Sequence, residues 1–401
     1  MTTWKWASLT AGAAVCLTVL MGAAAPAHAQ IAELAAQKIT LKIDRKDVTV
    51  SGISSGAAMA HHLHIAHSAD LVGVGMVAGP PFRCADYLLG NAGLIPTNPA
   101  LAMTPAAATA IGLCTAYYKK MGAAGQFLAP LAEQPIDTAK LVKFVTDAAA
   151  ARKVDDPKGV CGDRAFLIAG GVDDTVPGKV TGATADLYRS LMSQCGDDHY
   201  VKAHLNAETR PGMPHTMPTN SSAEPANCAA GGPYIADCDY PGAEEMLRFL
   251  HPARASAPQP NRPASSENLV KFSQRKAIGP FNPQGLMHEN GYVYVPERCK
   301  QGETCSLHIA LHGCHQNEDQ INKDSRDPNR KYLFAVDAGY NDYAERAGIV
   351  VLYPQAAATP GMLSSNPNGC WDWWGYNGPA YYEKDAFQIR NIWKLVDALT
   401  K

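Results

Sequence analysis

A serine flanked by glycines, a carboxylate that follows an apolar run and a histidine set among prolines are the residues whose types and order could do covalent chemistry here. Ser51-Gly52-Ile53-Ser54-Ser55-Gly56 fits the G-x-S-x-G elbow. In that elbow a sharp strand-to-helix turn exposes the central serine, Ser54, and the glycines leave room for the turn. The pattern alone is weak, because glycine and serine are common. Its setting strengthens it: Val48 and Val50 alternate as in a short strand, and residues 57–67 can continue as a helix whose first amides face the serine. Residues 164–169 form an apolar run ending in Gly170-Gly171-Val172-Asp173-Asp174. That order puts Asp173 on a loop just past a strand end, where open α/β sheets keep their chemistry, and leaves Asp174 as a turn or capping residue. The bland reading is that both are turn formers, as aspartate after glycine usually is. His215 lies between Pro214 and Pro218, which stiffen the loop around it.

Ser54, Asp173 and His215 follow one another in the order used by α/β-hydrolases, with His215 as base and Asp173 holding its tautomer. Thirteen histidines make a chance match easy. His61, His62, His64 and His67 cluster after the elbow but point in several directions on a helix, so they are expected at the surface or in packing, not on a metal. Two oxyanion donors are also needed: the amide of Ser55, and one from a turn after another strand. Residues 307–311 end in His312-Gly313-Cys314, which makes the Cys314 amide the second candidate.

The elements that must position these residues read as an alternation of strands and helices. Strands are expected at 39–43, 48–50, 71–78, 164–169, 200–205, 292–295, 307–311 and 349–353, with helices at 241–250 and 384–399. Such alternation indicates an α/β sheet covered on both faces. Residues 251–266, rich in Pro, Ala and Ser, read as a solvated connection. The part of the chain beyond this connection is too small for a complete sheet domain, so both parts are expected to share one sheet. The oxyanion strand ordinarily precedes the elbow; here it comes after the histidine. Joining the end of the last helix to the elbow strand, and opening the chain at 251–266, restores the ordinary order, so the fold is expected to be a circularly permuted α/β-hydrolase.

Composition sets the class. The 401 residues are 46% hydrophobic and 18% charged, with a net charge of -2, a globular profile. No basic run offers a footprint for nucleic acid. Residues 1–29 read as a signal peptide, with Lys5, an alanine-rich apolar core and Ala27-His28-Ala29 before cleavage, leaving 30–401 as the catalytic part. No stretch is apolar enough for a membrane anchor. Of 11 cysteines, Cys16 falls in the leader; the remaining even number suits an oxidising, secreted location. Proximity suggests Cys84 with Cys114, Cys228 with Cys238 and Cys299 with Cys305, leaving Cys161, Cys195, Cys314 and Cys370 for longer bridges.

Taken together, the elbow, Asp173 with Thr175-Val176, His215-Thr216, Leu311-His312-Gly313-Cys314 and Asn366-Pro367-Asn368-Gly369-Cys370-Trp371-Asp372-Trp373 resemble the secreted poly(3-hydroxybutyrate) depolymerases. Their catalytic domain is a circularly permuted α/β-hydrolase. The resemblance implies a triad of Ser54, Asp173 and His215, oxyanion amides from Ser55 and Cys314, a Cys314–Cys370 bridge and no cofactor or metal. The expected partner is a polyester or oligoester, an apolar chain suited to an aromatic groove, for which Trp371 and Trp373 are candidates. Packing in the core is the ordinary alternative for such tryptophans. No separate polymer-binding module is expected after the last helix, and residues 88–126 are long enough to line or cover the entrance. A secreted esterase acting on feruloyl or acetyl esters is the competing enzyme reading, and a non-catalytic binding protein the third.

Overall fold

The computed structural model describes residue 1 and residues 31–89, 103–220, 227–230, 234–279, 286–323, 333–359 and 366–400. The expected leader lies outside these residues, apart from Met1.

Ten strands are present among the described residues: β1 (Lys42–Ile53), β2 (Gly73–Val77), β3 (Arg164–Gly170), β4 (Leu205–Arg210), β5 (Met217–Thr219), β6 (Ile235–Asp237), β7 (Leu269–Ser273), β8 (Asn290–Tyr294), β9 (Thr304–Leu311) and β10 (Ile349–Tyr353). Eight form one α/β-hydrolase-type sheet in the order β4-β3-β2-β1-β9-β10-β8-β7, while β5 and β6 pair separately. From β4 to β10 neighbours run parallel; β8 is antiparallel to both β10 and β7. β1 therefore joins the two parts of the chain, pairing with β2 on one side and β9 on the other. Strands buried on both faces, such as β2 and β10, are continuous apolar runs, as parallel central strands must be.

The two faces carry separate cores. Leu63 of the elbow helix (Ser55–Ala66), Leu187 of helix Gly178–Met192 and Ile389 of helix Phe387–Leu399 pack on one face, with Val48 and Val50. Met246 and Leu250 of helix Gly242–Leu250 cover the other. Because alternate residues of a strand face opposite ways, Thr49 and Ser51 point to this second side. There they anchor a buried polar chain. Asp47 Oδ1 meets His251 Nδ1 at 2.8 Å, and His251 Nε2 meets Thr49 Oγ1 at 2.6 Å. Thr49 and Ser51 flank His308 at 2.7 Å each, and Ser51 reaches the Tyr340 hydroxyl at 2.8 Å. These bonds lock β1, β9 and the start of the connection together directly beneath the elbow, since each buried polar group here satisfies the next.

Three expectations need correction. Residues 200–205 are mostly helical, Asp198–His204, because the Asp197 carboxylate caps the Tyr200 amide at 3.0 Å and starts a helix where Tyr and Val favour a strand; β4 begins only at Leu205. β7 was not expected, and it gives the second part four strands instead of three. The connection is not wholly irregular either, since Pro252–Ser256 forms a short helix.

Candidate active site

Ser54 sits where β1 meets the elbow helix, with φ 56° and ψ -119°, a conformation that costs a non-glycine residue about 1–3 kcal/mol. Its neighbours pin it there: the Ser54 amide donates to Val77 O at 2.9 Å, and the Ala58 amide donates to Ser54 O at 3.0 Å. Gly52 and Gly56 are demanded by contact. A Cβ on Gly52 would lie 2.4 Å from the Gly56 backbone, and one on Gly56 would lie 2.3 Å from Leu311 O. Any side chain at either place would push β9 away from the turn.

Asp173, in the turn after β3, is buried and fully engaged. Its Oδ1 accepts the amides of Thr175 at 2.8 Å and Val176 at 2.7 Å, and its Oδ2 meets His215 Nδ1 at 2.7 Å. Next to it, Asp174 is exposed and pairs with Lys120 at 3.3 Å, as a turn residue would. His215, after β4, lines a cavity of about 470 Å³ together with Ser54 and Cys314. With Nδ1–H donated to Asp173, its Nε2 carries the lone pair a base needs.

The turn that carries the second oxyanion candidate, Cys314, is set by His312. Its Nε2 accepts the Ala356 amide at 3.1 Å, so Nδ1 carries the hydrogen and donates it to Gly313 O at 2.7 Å. In a trans peptide the C=O and N–H point in opposite directions, so holding the Gly313 carbonyl turns the Cys314 amide away from His312. The Gly313 amide itself is used by Gln316 Oε1 at 2.6 Å, which leaves Cys314 as the donor of this turn. Ser55 opens the elbow helix, whose first-turn amides have no intrahelical acceptor.

The Trp-rich loop closes another wall. The Cys314–Cys370 disulfide ties it to the oxyanion turn, and Asn366 brackets Cys370, donating to its carbonyl at 2.8 Å and accepting its amide at 2.9 Å. Asp372 gathers the amides of Gly375, Tyr376 and Asn377, yet burial still pushes its carboxyl up to about 7. Trp373 and Trp374 line the cavity, edge to face at 5.6 Å. Trp371 does not: its indole is fully buried and donates to His312 O at 3.0 Å, and its amide reaches Ser55 Oγ at 3.3 Å. It braces the oxyanion turn from behind. Sequence spacing put both tryptophans on one short loop but could not say which faced inward. Three cavity residues had no signal of their own: Tyr234, at φ 64° and edge-on to His215 at 5.9 Å; Lys120; and Thr175 as a lining side chain. Thr104, Ile111, Thr115 and Tyr117 come from the long segment 88–126, whose described part forms a side of the cavity.

The remaining cysteines pair as Cys84–Cys114, Cys161–Cys195, Cys228–Cys238 and Cys299–Cys305. Of the two placements expected for the histidines after the elbow, surface or packing, the structure shows packing: all four are buried, because this helix is enclosed on every side. His61 stacks on Tyr188 at 5.0 Å and His67 on Trp393 at 3.9 Å. Among the described residues no group of three His, Cys, Asp or Glu is arranged to hold a metal.

No protein-family model matches the chain. A poly(3-hydroxybutyrate) depolymerase of Delftia acidovorans is 31% identical over 366 residues, 90% of this chain and 61% of that protein. A polyhydroxybutyrate depolymerase of Talaromyces funiculosus is 30% identical over 347 residues, 84% of each. This chain belongs to the poly(3-hydroxybutyrate) depolymerase family. Two solved PHB depolymerase structures superpose with a TM-score of 0.68, each covering 90% of this chain and 98% of the other. One, from Penicillium funiculosum, is 26% identical; the other, 25% identical, is a serine-to-alanine variant complexed with an R3HB trimer. The chain thus spans less than two thirds of the Delftia depolymerase but most of the fungal one.

Burial around this depolymerase-family site predicts acid lability. It holds His62 down to about 3, and His67 and His312 down to about 4, and pushes His61 and His308 well below their ordinary value. Unfolded, each would protonate near 6.5, so below that pH the unfolded chain binds protons the folded one refuses. Stability is full above about 6.5 and falls as pH drops toward 4. The raised carboxyls of Asp372, Asp86 and Asp163 act the other way, but five histidines outnumber three carboxyls. Thermal melts should therefore show Tm falling steadily from pH 6.5 to 4; a level Tm over that range would contradict the burial argument.

Proposed function

We propose that this chain is a secreted serine hydrolase that cleaves the ester bonds of poly(3-hydroxybutyrate) or its oligomers. The observation that carries it is the shared cavity: the strained Ser54 and the Asp173-oriented His215 line one aromatic-walled pocket in a member of the depolymerase family. Ser54 Oγ attacks the ester carbonyl while His215 Nε2 takes its proton. The oxyanion is stabilised by the Ser55 and Cys314 amides. As the tetrahedral intermediate collapses, the C–O bond breaks and the imidazolium returns the proton to the departing alkoxide. Water, activated by the same histidine, then frees the acyl group from Ser54. Five disulfides support export, and residues 1–29 serve as the leader. Among the described residues no helix is long and apolar enough to cross a membrane.

The deciding experiment compares release of 3-hydroxybutyrate from amorphous polymer with hydrolysis of a feruloyl ester. Polymer cleavage should dominate; a faster feruloyl reaction with an untouched polymer would replace this reading by that of a general esterase.

The circular permutation is part of the same proposal. It is supported by the way β1 sits between β2 and β9, and by Arg45 of β1, which reaches Thr400 Oγ1 at 2.8 Å and Asp397 at 3.3 Å, so the chain's last helix ends beside the elbow strand. A rearranged chain running from 267 to 400, through a short flexible join, then from 31 to 251 should fold and hydrolyse the same esters. A handful of residues at ~3.3 Å each should provide the join. Insolubility at every join length tried would show that the native order is required.

A further inference from the structure

The cavity wall carries one fixed cation, and its position is informative. Among the described residues that line the cavity, Lys120 is the only Lys or Arg, and there is no Asp or Glu. Its ammonium donates to Thr175 Oγ1 at 2.7 Å and pairs with Asp174 at 3.3 Å; its side chain is 39% exposed. An ion pair this exposed neutralises little, and an ammonium with three N–H donors retains capacity beyond these two partners. The segment that carries it is firmly attached. The Ala116 amide donates to Thr175 O at 2.7 Å, and Cys114 is bridged to Cys84.

Lys120 also has a side. The Lys120 ammonium donates to Thr175, Thr175 donates its amide to Asp173, and Asp173 holds His215, so the lysine stands at the His215 end of the cavity. His215 returns its proton to the departing alkoxide, so the leaving half of the ester must lie at that end. In a 3-hydroxyalkanoate chain the half that leaves as an alcohol ends in the free carboxylate, whereas the half retained on the serine ends in the free hydroxyl.

We propose that Lys120 is a specificity-determining residue that binds the terminal carboxylate of the leaving product, so that short hydroxyacid oligomers cleaved near their acid end are favoured. This rests on the serine-hydrolase reading above and adds chain-end recognition to it. A charge meeting a charge at a half-exposed wall is worth about three- to fivefold in affinity, falling as salt rises.

The test uses dimers and trimers of 3-hydroxybutyrate as free acids and as terminal carboxamides, which are neutral, of similar shape and not themselves esters at that end. For the unmodified protein, kcat/KM should favour the free acid about three- to fivefold, mainly through KM, and the preference should shrink in high salt. Lys120→Met should bring the ratio close to one, Lys120→Arg should restore part of it, and Lys119→Met, an exposed neighbour outside the cavity, should keep it. Equal cleavage of acid and amide by the unmodified protein, or a ratio that survives Lys120→Met, overturns this inference alone. Cleavage of neither compound, with the protein folded, overturns the ester-hydrolase reading as well.

Discussion

Ser54→Ala should reduce ester hydrolysis by on the order of 10⁶ while leaving the fold and substrate binding in place, because removing a triad nucleophile leaves only binding and the oxyanion donors. The fold should tolerate it for a specific reason. The Ser54 hydroxyl makes no capping bond to the elbow helix, and alanine occupies φ 56° at much the same cost as serine. Tm should therefore move little, and an oligomer should still protect the variant against unfolding. Ser55→Ala is the contrasting variant. It removes only a hydroxyl that accepts the Trp371 amide at 3.3 Å and keeps the backbone donor that the oxyanion needs. Near-normal turnover in Ser54→Ala with a collapse in Ser55→Ala would put the nucleophile one residue later.

Asp173→Asn should lower kcat by on the order of 10⁴. The carboxylate now accepts on both oxygens, two amides on Oδ1 and the imidazole on Oδ2. Asparagine can keep its single oxygen on the Thr175 and Val176 amides, which places its NH₂ against His215 Nδ1. The ring then has to present a lone pair there and carry its hydrogen on Nε2, the tautomer that cannot take a proton from Ser54. Asp174→Asn offers a clean comparison one residue away. It weakens an exposed pair with Lys120 and a 3.1 Å bond from the Thr175 hydroxyl, and should cost only a few-fold in kcat. Rate measurements on the two variants should rank them in that order; the reverse ranking would move the acid to Asp174.

Local sequence determined a good deal of this protein. The elbow is legible because its geometry leaves so few options: glycine at 52 and 56 is required by backbone contacts of 2.4 and 2.3 Å, so the turn and its glycines cannot be separated. β2 and β10 are legible because strands buried on both faces have to be apolar throughout, and the pairing of Asp173 with His215 is foreshadowed because each comes after a strand. Tertiary structure decided the rest. Period and spacing report the face a residue lies on, not what stands opposite it, so nothing local separated Trp371, packed behind the oxyanion turn, from Trp373, which faces the cavity. The helix of 198–204 depended on one side-chain cap at Asp197 that outweighed the strand preference of its neighbours. The elbow-helix histidines became interior residues only because sheet and helices close around them. Lys120 lies 55 residues from Thr175 and gains its meaning only when the fold brings both to the His215 end of the cavity. A side chain's chemistry is fixed by its own atoms, but its partner here is supplied by a distant part of the chain, and only packing brings the two within hydrogen-bonding reach.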